Sequence, residues 1–322
     1  SVYKSYMDAL LKSNKAYMCF ASKKELDEIR KESNSFHYPG IWRDRDVGDI
    51  NNEIKKGSPF TVRLKTPQDG KTSFEDLIYG NISVKNNEID DFIIARSDGS
   101  PVYNLTNVVD DSLMEITHVI RGEDHVSNTP KQILIYNALG FKVPTFAHLP
   151  MILGEDKKRL SKRHGATGVN EYESMGYQPD ALLNYLVLLG WNPGTDEEIF
   201  DLDSLVKNFD IRKVQKKSAT YDQKKFNWIS SQHLMKEDSE KVLNRLASID
   251  PKWGEYKSQD YLVKVIDLIK PRSNSLSDLV DQSQYFFSSP KEFDSTQLQK
   301  IWKQDTTKTL IELKSILGAI NS

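Results

Sequence analysis

Cysteine is nearly missing from this 322-residue chain. A lone thiol, Cys19, excludes an internal disulfide and leaves any zinc cluster one cysteine ligand at most, which suits a reducing compartment. No apolar run approaches the roughly 20 residues that cross a bilayer, and no charged-then-apolar leader opens the chain. Net charge is nearly missing as well: 44 Lys and Arg face 46 Asp and Glu, leaving −2. That balance neither demands nor excludes a nucleic-acid partner, so only local clusters of cations are informative. Internal repeats and low-complexity stretches do not stand out. What is there, 38% hydrophobic and 10% aromatic residues, suffices for a substantial core in two or three domains.

The chain opens at Ser1 inside an amphipathic pattern, with Val2, Tyr6, Leu10 and Leu11 at near-helical spacing, and stops in or after a helical "TLIELKSILGAINS". Both termini read as cuts through a longer protein. After a break near Ala16–Ala21, Ser22 and Glu25 have the spacing of a capping box opening a second helix. "YPGIWRDRD" has turn chemistry, and "PFTVRLKTP" alternates Phe60, Val62 and Leu64 as a half-buried strand. Leu77–Val84 and Ile89–Ala95, closed by the turn "SDGS", are further strand candidates in a mixed, strand-rich block over about 35–100.

The next block reads as α/β. "VYNLTNVVDD" (102–111) and "THVIRG" (117–122) are strand-like. The second runs into a helix with Thr129 as N-cap, Pro130 in the first turn, Gln132 completing a capping box and Gly140 at its end. A strand leading into a crossover helix implies a parallel sheet, and ligands of such sheets gather beyond the carboxyl ends of the strands. Polar residues at 121–128 therefore stand where chemistry is expected. "KVPTFAHLPMIL" continues as strand, and from Gln178 onward the pattern is helical.

Between these regions lies "KKRLSKRHGATG", Lys157 to Gly168, five Lys and Arg side chains and a histidine in eight positions before the chain turns glycine-rich. Taken alone it fits two readings. One is a solvated surface loop, the commoner state of lysine-rich runs. The other is a mobile loop closing over polyphosphate, with ammonium groups offsetting charge and a serine hydroxyl donating a hydrogen bond. The order of a Walker loop is not present.

In its wider context the run resembles a known signature. "RLSKR" (Arg159, Leu160, Ser161, Lys162, Arg163) is similar to the KMSKS motif of class I aminoacyl-tRNA synthetases, in the form found in bacterial-type glutamyl-tRNA synthetases. The segment 101–166 resembles that family almost throughout, and the likeness extends faintly past 250. It implies an α/β fold: a partial Rossmann-type class I synthetase core with a mixed α/β insertion, followed by an all-helical C-terminal region. It also implies a division of the chain: 1–18 ending the first half of the catalytic domain, 19–100 an insertion binding the tRNA acceptor end, and 101–155 the second catalytic half. Residues 156–250 then form the KMSKS loop and a helical stem-contact region, and 251–322 a truncated helical anticodon-binding region.

The family's reaction joins glutamate and ATP, with Mg2+, into glutamyl-adenylate and passes the glutamate to tRNA(Glu). Lys162 is then the group that stabilises departing pyrophosphate, Ser161 supports ATP, and Arg163, Asp124 and His125 are further nucleotide contacts. His125 reads equally as a helix-start residue without a ligand. Tyr103, Asn107 and Arg121 would hold the amino acid. A guanidinium at a strand end can bind a carboxylate in bidentate fashion, whereas the amide of glutamine would leave its charge unmatched, favouring glutamate. The bland alternative makes Arg121 a salt bridge to Asp110, Asp111 or Glu123.

Three departures matter. The family's HIGH-like motif and the early Arg and Glu of its amino-acid pocket do not occur in these residues, so the chain by itself is expected not to form the adenylate. Family zinc ligands are replaced, with "CFA" at Cys19–Ala21 and "IWRD" later, so no structural zinc is expected. Cationic clusters at Arg43 and Arg45, at Arg212, Lys213, Lys216 and Lys217, and at Lys224 and Lys225 could meet tRNA phosphates, though such runs are more often solvated faces. The expected protein is a cytoplasmic monomer that binds tRNA, glutamate and ATP. A glutamine-specific relative and a non-catalytic tRNA-binding module are the competing readings.

Overall fold

The computed structural model describes residues 2–33, 37–160, 168–289 and 294–320. Two compact units make up the chain: residues 1–166 with 183–222, and residues 167–182 with 223–322. No helix among the described residues is long and apolar enough to cross a membrane.

The first unit begins with α1 (Val2–Lys12), β1 (Ala16–Cys19), α2 (Lys23–Ser33) and α3 (Val47–Lys55). The capping box is present: Ser22 Oγ accepts from Glu25 N at 3.1 Å. The break expected at Ala16–Ala21 is instead the strand β1, which pairs antiparallel with β2 (Thr61–Leu64). β2 in turn pairs with β5 (Ile93–Ala95), so these form a three-stranded sheet in the order β1-β2-β5. β2 is covered more fully than its alternation suggests, because Arg63 is buried along with Val62 and Leu64.

A second sheet has the order β4-β3-β7-β6 and carries the site. Here β3 (Lys71–Asp76) and β4 (Gly80–Lys85) form an antiparallel hairpin, while β6 (His118–Gly122) and β7 (Thr145–Leu149) run parallel. β3 alternates strictly, with Thr72, Phe74 and Asp76 inward. The strand expected at Leu77–Val84 thus starts only at Gly80, since the backbone amides of Ile78 and Tyr79 turn in to bind Asp76. Likewise, of Ile89–Ala95 only the last three residues are strand.

Residues 102–111 are not a strand. They form α4 (Tyr103–Leu113), whose Leu105, Val108 and Val109 are wholly buried. Their spacing of three and four is helical, and it outweighs the strand preference of paired valines. The crossover helix α5 (Thr129–Leu139) connects β6 to β7 and ends at Gly140, which adopts the left-handed conformation at φ 71°. Thr129 does not cap it: Asn128 precedes the helix without a side-chain capping bond. The parallel β6–α5–β7 unit is the expected Rossmann-like crossover. Leu10, Leu64, Ile94, Leu105, Ile135 and Phe146 lie in the core that unites both sheets with α1, α4 and α5.

After β7 the short β8 (Ile152–Leu153) pairs in parallel with β9 (Ala219–Thr220). The chain returns antiparallel to β8, bridging Leu153 to Arg159, so the basic run begins on a hairpin. The second unit is helical, with Leu234, Val242, Leu246, Val265, Ile266 and Leu279 in its core. Within it Tyr172, Tyr177 and Phe226 form an aromatic cluster.

Candidate active site

Arg121 lies near the carboxyl end of β6, directly across from His148 on β7. Its guanidinium donates only to neutral acceptors: Nε to His148 Nε2 at 3.1 Å, and Nη2 to Thr129 Oγ1 at 2.7 Å and Gln132 Oε1 at 2.8 Å. The two residues read as helix caps are instead the acceptors that hold this cation. Among the described residues Nη1 is buried without a hydrogen-bond partner.

Among the described residues no salt bridge supports the bland reading of Arg121. Asp110 is bound by Tyr3, Asp111 by Tyr136, and Glu123 by the Tyr79 hydroxyl at 2.5 Å and the Met151 amide at 2.9 Å. Burial lowers the pKa of Arg121, with the Tyr103 hydroxyl and the Asp111 charge opposing it; a guanidinium remains charged regardless. Nε and Nη2 are already engaged, so Nη1 is the guanidinium nitrogen left without a bond among the described residues.

Beneath Arg121 lies a buried acid–imidazole pair that the motifs did not reveal. Asp76 Oδ2 is 2.6 Å from His148 Nδ1, and both side chains are fully inaccessible. Burial alone would raise the pKa of Asp76, but donors from Tyr79, His148 and Ile78 outweigh it and hold the carboxyl below its usual range. For His148 burial lowers the pKa, Asp76 opposes this, and the Arg121 and His125 charges lower it further. Its sequence signal was a histidine inside the apolar run "TFAHL".

The other expected site residues gather at the same strand end. Tyr103 opens α4, and its hydroxyl lies 3.4 Å from His125 Nδ1. Asn107, one turn further along α4, is half-buried. His125 sits in the 3-10 turn Glu123–Asn128 with Asn128 Nδ2 3.2 Å from the same nitrogen. Asp124 pairs with Arg159 at 3.2 Å, tying the strand end to the first residue of the basic motif. Leu160 donates its amide to the Ile152 carbonyl. Ser161, Lys162 and Arg163 lie outside the described residues.

Among the cations considered for RNA, Arg43 turns inward, pairing with buried Asp91 and donating to the Thr66 carbonyl at 2.7 Å. That carboxylate fixes it in the fold instead of leaving it for phosphate. Arg45 is half-exposed and stacks over Trp42, while Arg212, Lys216 and Lys217 are exposed. A cation that the sequence did not single out, Arg63, lies 3.8 Å over the Tyr38 ring, and its buried Nε has no hydrogen-bond partner among the described residues. Both residues line a cleft of about 800 Å³ that reaches Asp124, Ser127 and Lys131. Strand alternation would have put Arg63 outside, so the pattern hid it. Cys19 is buried against the Tyr38 hydroxyl at 3.2 Å. Among the described residues no three His, Cys, Asp or Glu side chains cluster as metal ligands.

A parallel crossover with charged groups beyond its strand ends and a basic hairpin alongside is a Rossmann-like arrangement. Residues 1–228 match the family described as tRNA synthetases class I (E and Q), catalytic domain, and residues 240–322 match an anticodon binding domain. The chain belongs to that class I family. It is 42% identical over 310 residues to glutamate–tRNA ligase 1 of Caldanaerobacter subterraneus subsp. tengcongensis, covering 94% of this chain and 64% of the relative. With glutamate–tRNA ligase 1 of Campylobacter hominis identity is 43%, covering 99% and 68%. A crystal structure of a glutamate tRNA ligase from Elizabethkingia meningosepticum, in complex with its amino acid, superposes with a TM-score of 0.84 at 31% identity, covering 98% of this chain and 68% of that one. The chain thus spans about two thirds of the length of these relatives.

Proposed function

We propose that the chain carries the amino-acid-binding and pyrophosphate-releasing parts of a glutamate–tRNA ligase. That enzyme activates L-glutamate with ATP and transfers it to the 3′ end of tRNA(Glu). The observation that carries the reading is Arg121 Nη1: among the described residues a buried guanidinium nitrogen with no hydrogen-bond partner, while neutral acceptors fill the remaining positions. A buried cation with no carboxylate bonded to it is costly, and an anionic ligand reduces that cost. A glutamate carboxylate supplies the charge and a glutamine amide does not.

In this reading Tyr103 and Asn107 flank the amino acid, while Asp124 and His125 lie toward the nucleotide. Lys162, with Ser161 and Arg163, neutralises charge on the departing pyrophosphate. Mg2+ comes with the phosphates of ATP. The cleft of about 800 Å³ beside Arg63 and Lys131 receives the acceptor end of the tRNA, and Arg45, Arg212, Lys216 and Lys217 are contacts to its phosphates. The five functional segments are those the resemblance implies, and the protein acts as a cytoplasmic monomer. The competing reading is a tRNA-binding module without catalysis.

Glutamate-dependent ATP–pyrophosphate exchange in the presence of tRNA, measured on the complete gene product, tests the reading. Exchange with glutamate and not glutamine supports it. No exchange combined with a tRNA gel shift favours the binding module. The 322-residue chain alone is expected to give no exchange.

A further inference from the structure

We propose that Asp76 and His148 are positioning residues for Arg121, a fixed acid–imidazole pair whose one free lone pair holds the Arg121 Nε–H and so presents Nη1 to the substrate. This rests on the reading of Arg121 as the group that meets a carboxylate.

Asp76 is held by the main chain. Its carboxylate accepts from the backbone amides of Ile78 and Tyr79 at 2.9 Å each and from the His148 amide at 3.1 Å. Those three donors belong to the main chain, so the carboxylate cannot rotate without breaking the turn after β3. An ionised carboxylate only accepts, so the 2.6 Å contact makes His148 Nδ1 the protonated nitrogen. His148 Nε2 is then a lone pair. On the other side, Arg121 Nε only donates, and its 3.1 Å contact requires that lone pair. Two independent partners select the same tautomer.

The groups facing the imidazole come from every neighbouring element. They are Asp76 from β3, Arg121 from β6, His125 from the adjoining turn, and the Thr129 hydroxyl from α5 at 3.1 Å from Nε2. Phe74 and Phe146 close the remaining sides. A protonated imidazole would point an N–H at the N–H of Arg121 and set two cations against each other without water. Filling space needs no particular nitrogen, but holding Nε does. Burial alone therefore does not account for the choice of residue.

Two kinds of measurement decide the matter. His148→Asn retains a donor toward Asp76 but offers nothing to Arg121, whereas His148→Gln can place an oxygen near the lost lone pair. In 15N NMR of the unchanged protein, the Arg121 side-chain N–H (assigned by its loss in Arg121→Lys) should exchange slowly with water. Exchange should accelerate by about tenfold or more in His148→Asn and stay within about threefold in His148→Gln, as expected for losing or keeping one buried charge-assisted bond. Glutamate affinity by calorimetry should fall by about tenfold in His148→Asn alone. Unchanged exchange and unchanged affinity in His148→Asn would overturn the proposal. If His148→Asn does not fold, Asp76→Asn, which frees the other tautomer, is read in the same way. A protein that binds no glutamate, or binds it equally well as Arg121→Gln, counts against the amino-acid reading, and the NMR exchange still decides the pair.

Discussion

Arg121 and His148 are register partners on β6 and β7, and the 3.1 Å contact between Arg121 Nε and His148 Nε2 fixes which nitrogen of the guanidinium is left for a ligand. Everything else around Arg121 is neutral or already engaged. Among the described residues no carboxylate bonds to the guanidinium, and the Asp111 charge acts on it only at a distance.

Supplying the counter-charge from within should disable it. Gln132, fully buried, accepts from Nη2 through Oε1. In Gln132→Glu an internal ion pair replaces the neutral contact, and glutamate affinity should fall by about tenfold or more. Calorimetry checks this, with thermal melting expected to show little loss of stability.

Acid should weaken the first unit in two stages. The pKa of His148 is depressed in the fold, so its contribution is complete above about pH 6.5 and declines as pH falls through its folded value. Asp76 is also depressed, so its contribution is complete above about pH 3.9 and is lost on going lower. Denaturant melts from pH 7.5 down to about pH 2.5 should show both stages, and His148→Gln should remove the decline that begins near neutrality.

The Asp124–Arg159 pair should matter little for stability. Arg159 is 67% exposed, and such surface pairs contribute about 0–1 kcal/mol. Asp124→Asn should leave the melting temperature nearly unchanged. Because the pair links the strand end to the basic motif, the variant should bind ATP more weakly, which fluorescence titration with a labelled nucleotide can measure.

Gly176 is constrained in the second unit. It adopts φ +76°, and an added Cβ would lie 2.8 Å from Leu276 Cβ and 3.0 Å from the Ser277 amide. Gly176→Ala should cost about 2–4 kcal/mol from backbone strain and overpacking. Chemical denaturation followed through the tryptophan signal of that unit checks it.

Much of the architecture was legible because it is local. The Ser22–Glu25 box, the β6–α5–β7 crossover and the Gly140 terminus follow from short-range spacing. Arg121 was legible through its strand-end position and its motif context. What was hidden depends on distant partners. Asp76 and His148 are 72 residues apart, and a histidine inside an apolar run does not by itself name its partner. Thr129 and Gln132 have the spacing of helix caps, and only the approach of Arg121 from β6 gives them different work. Helix α4 was concealed by its valines, and Arg43 by the distance to Asp91.

The most direct test of the central claim is calorimetric titration of L-glutamate and L-glutamine into the protein and into Arg121→Gln. The account predicts saturable glutamate binding, glutamine weaker by about 100-fold, and loss of the difference in the variant, as expected for one buried charge pair of roughly 3 kcal/mol. Equal binding of the two amino acids, or glutamate binding that survives Arg121→Gln, would contradict it.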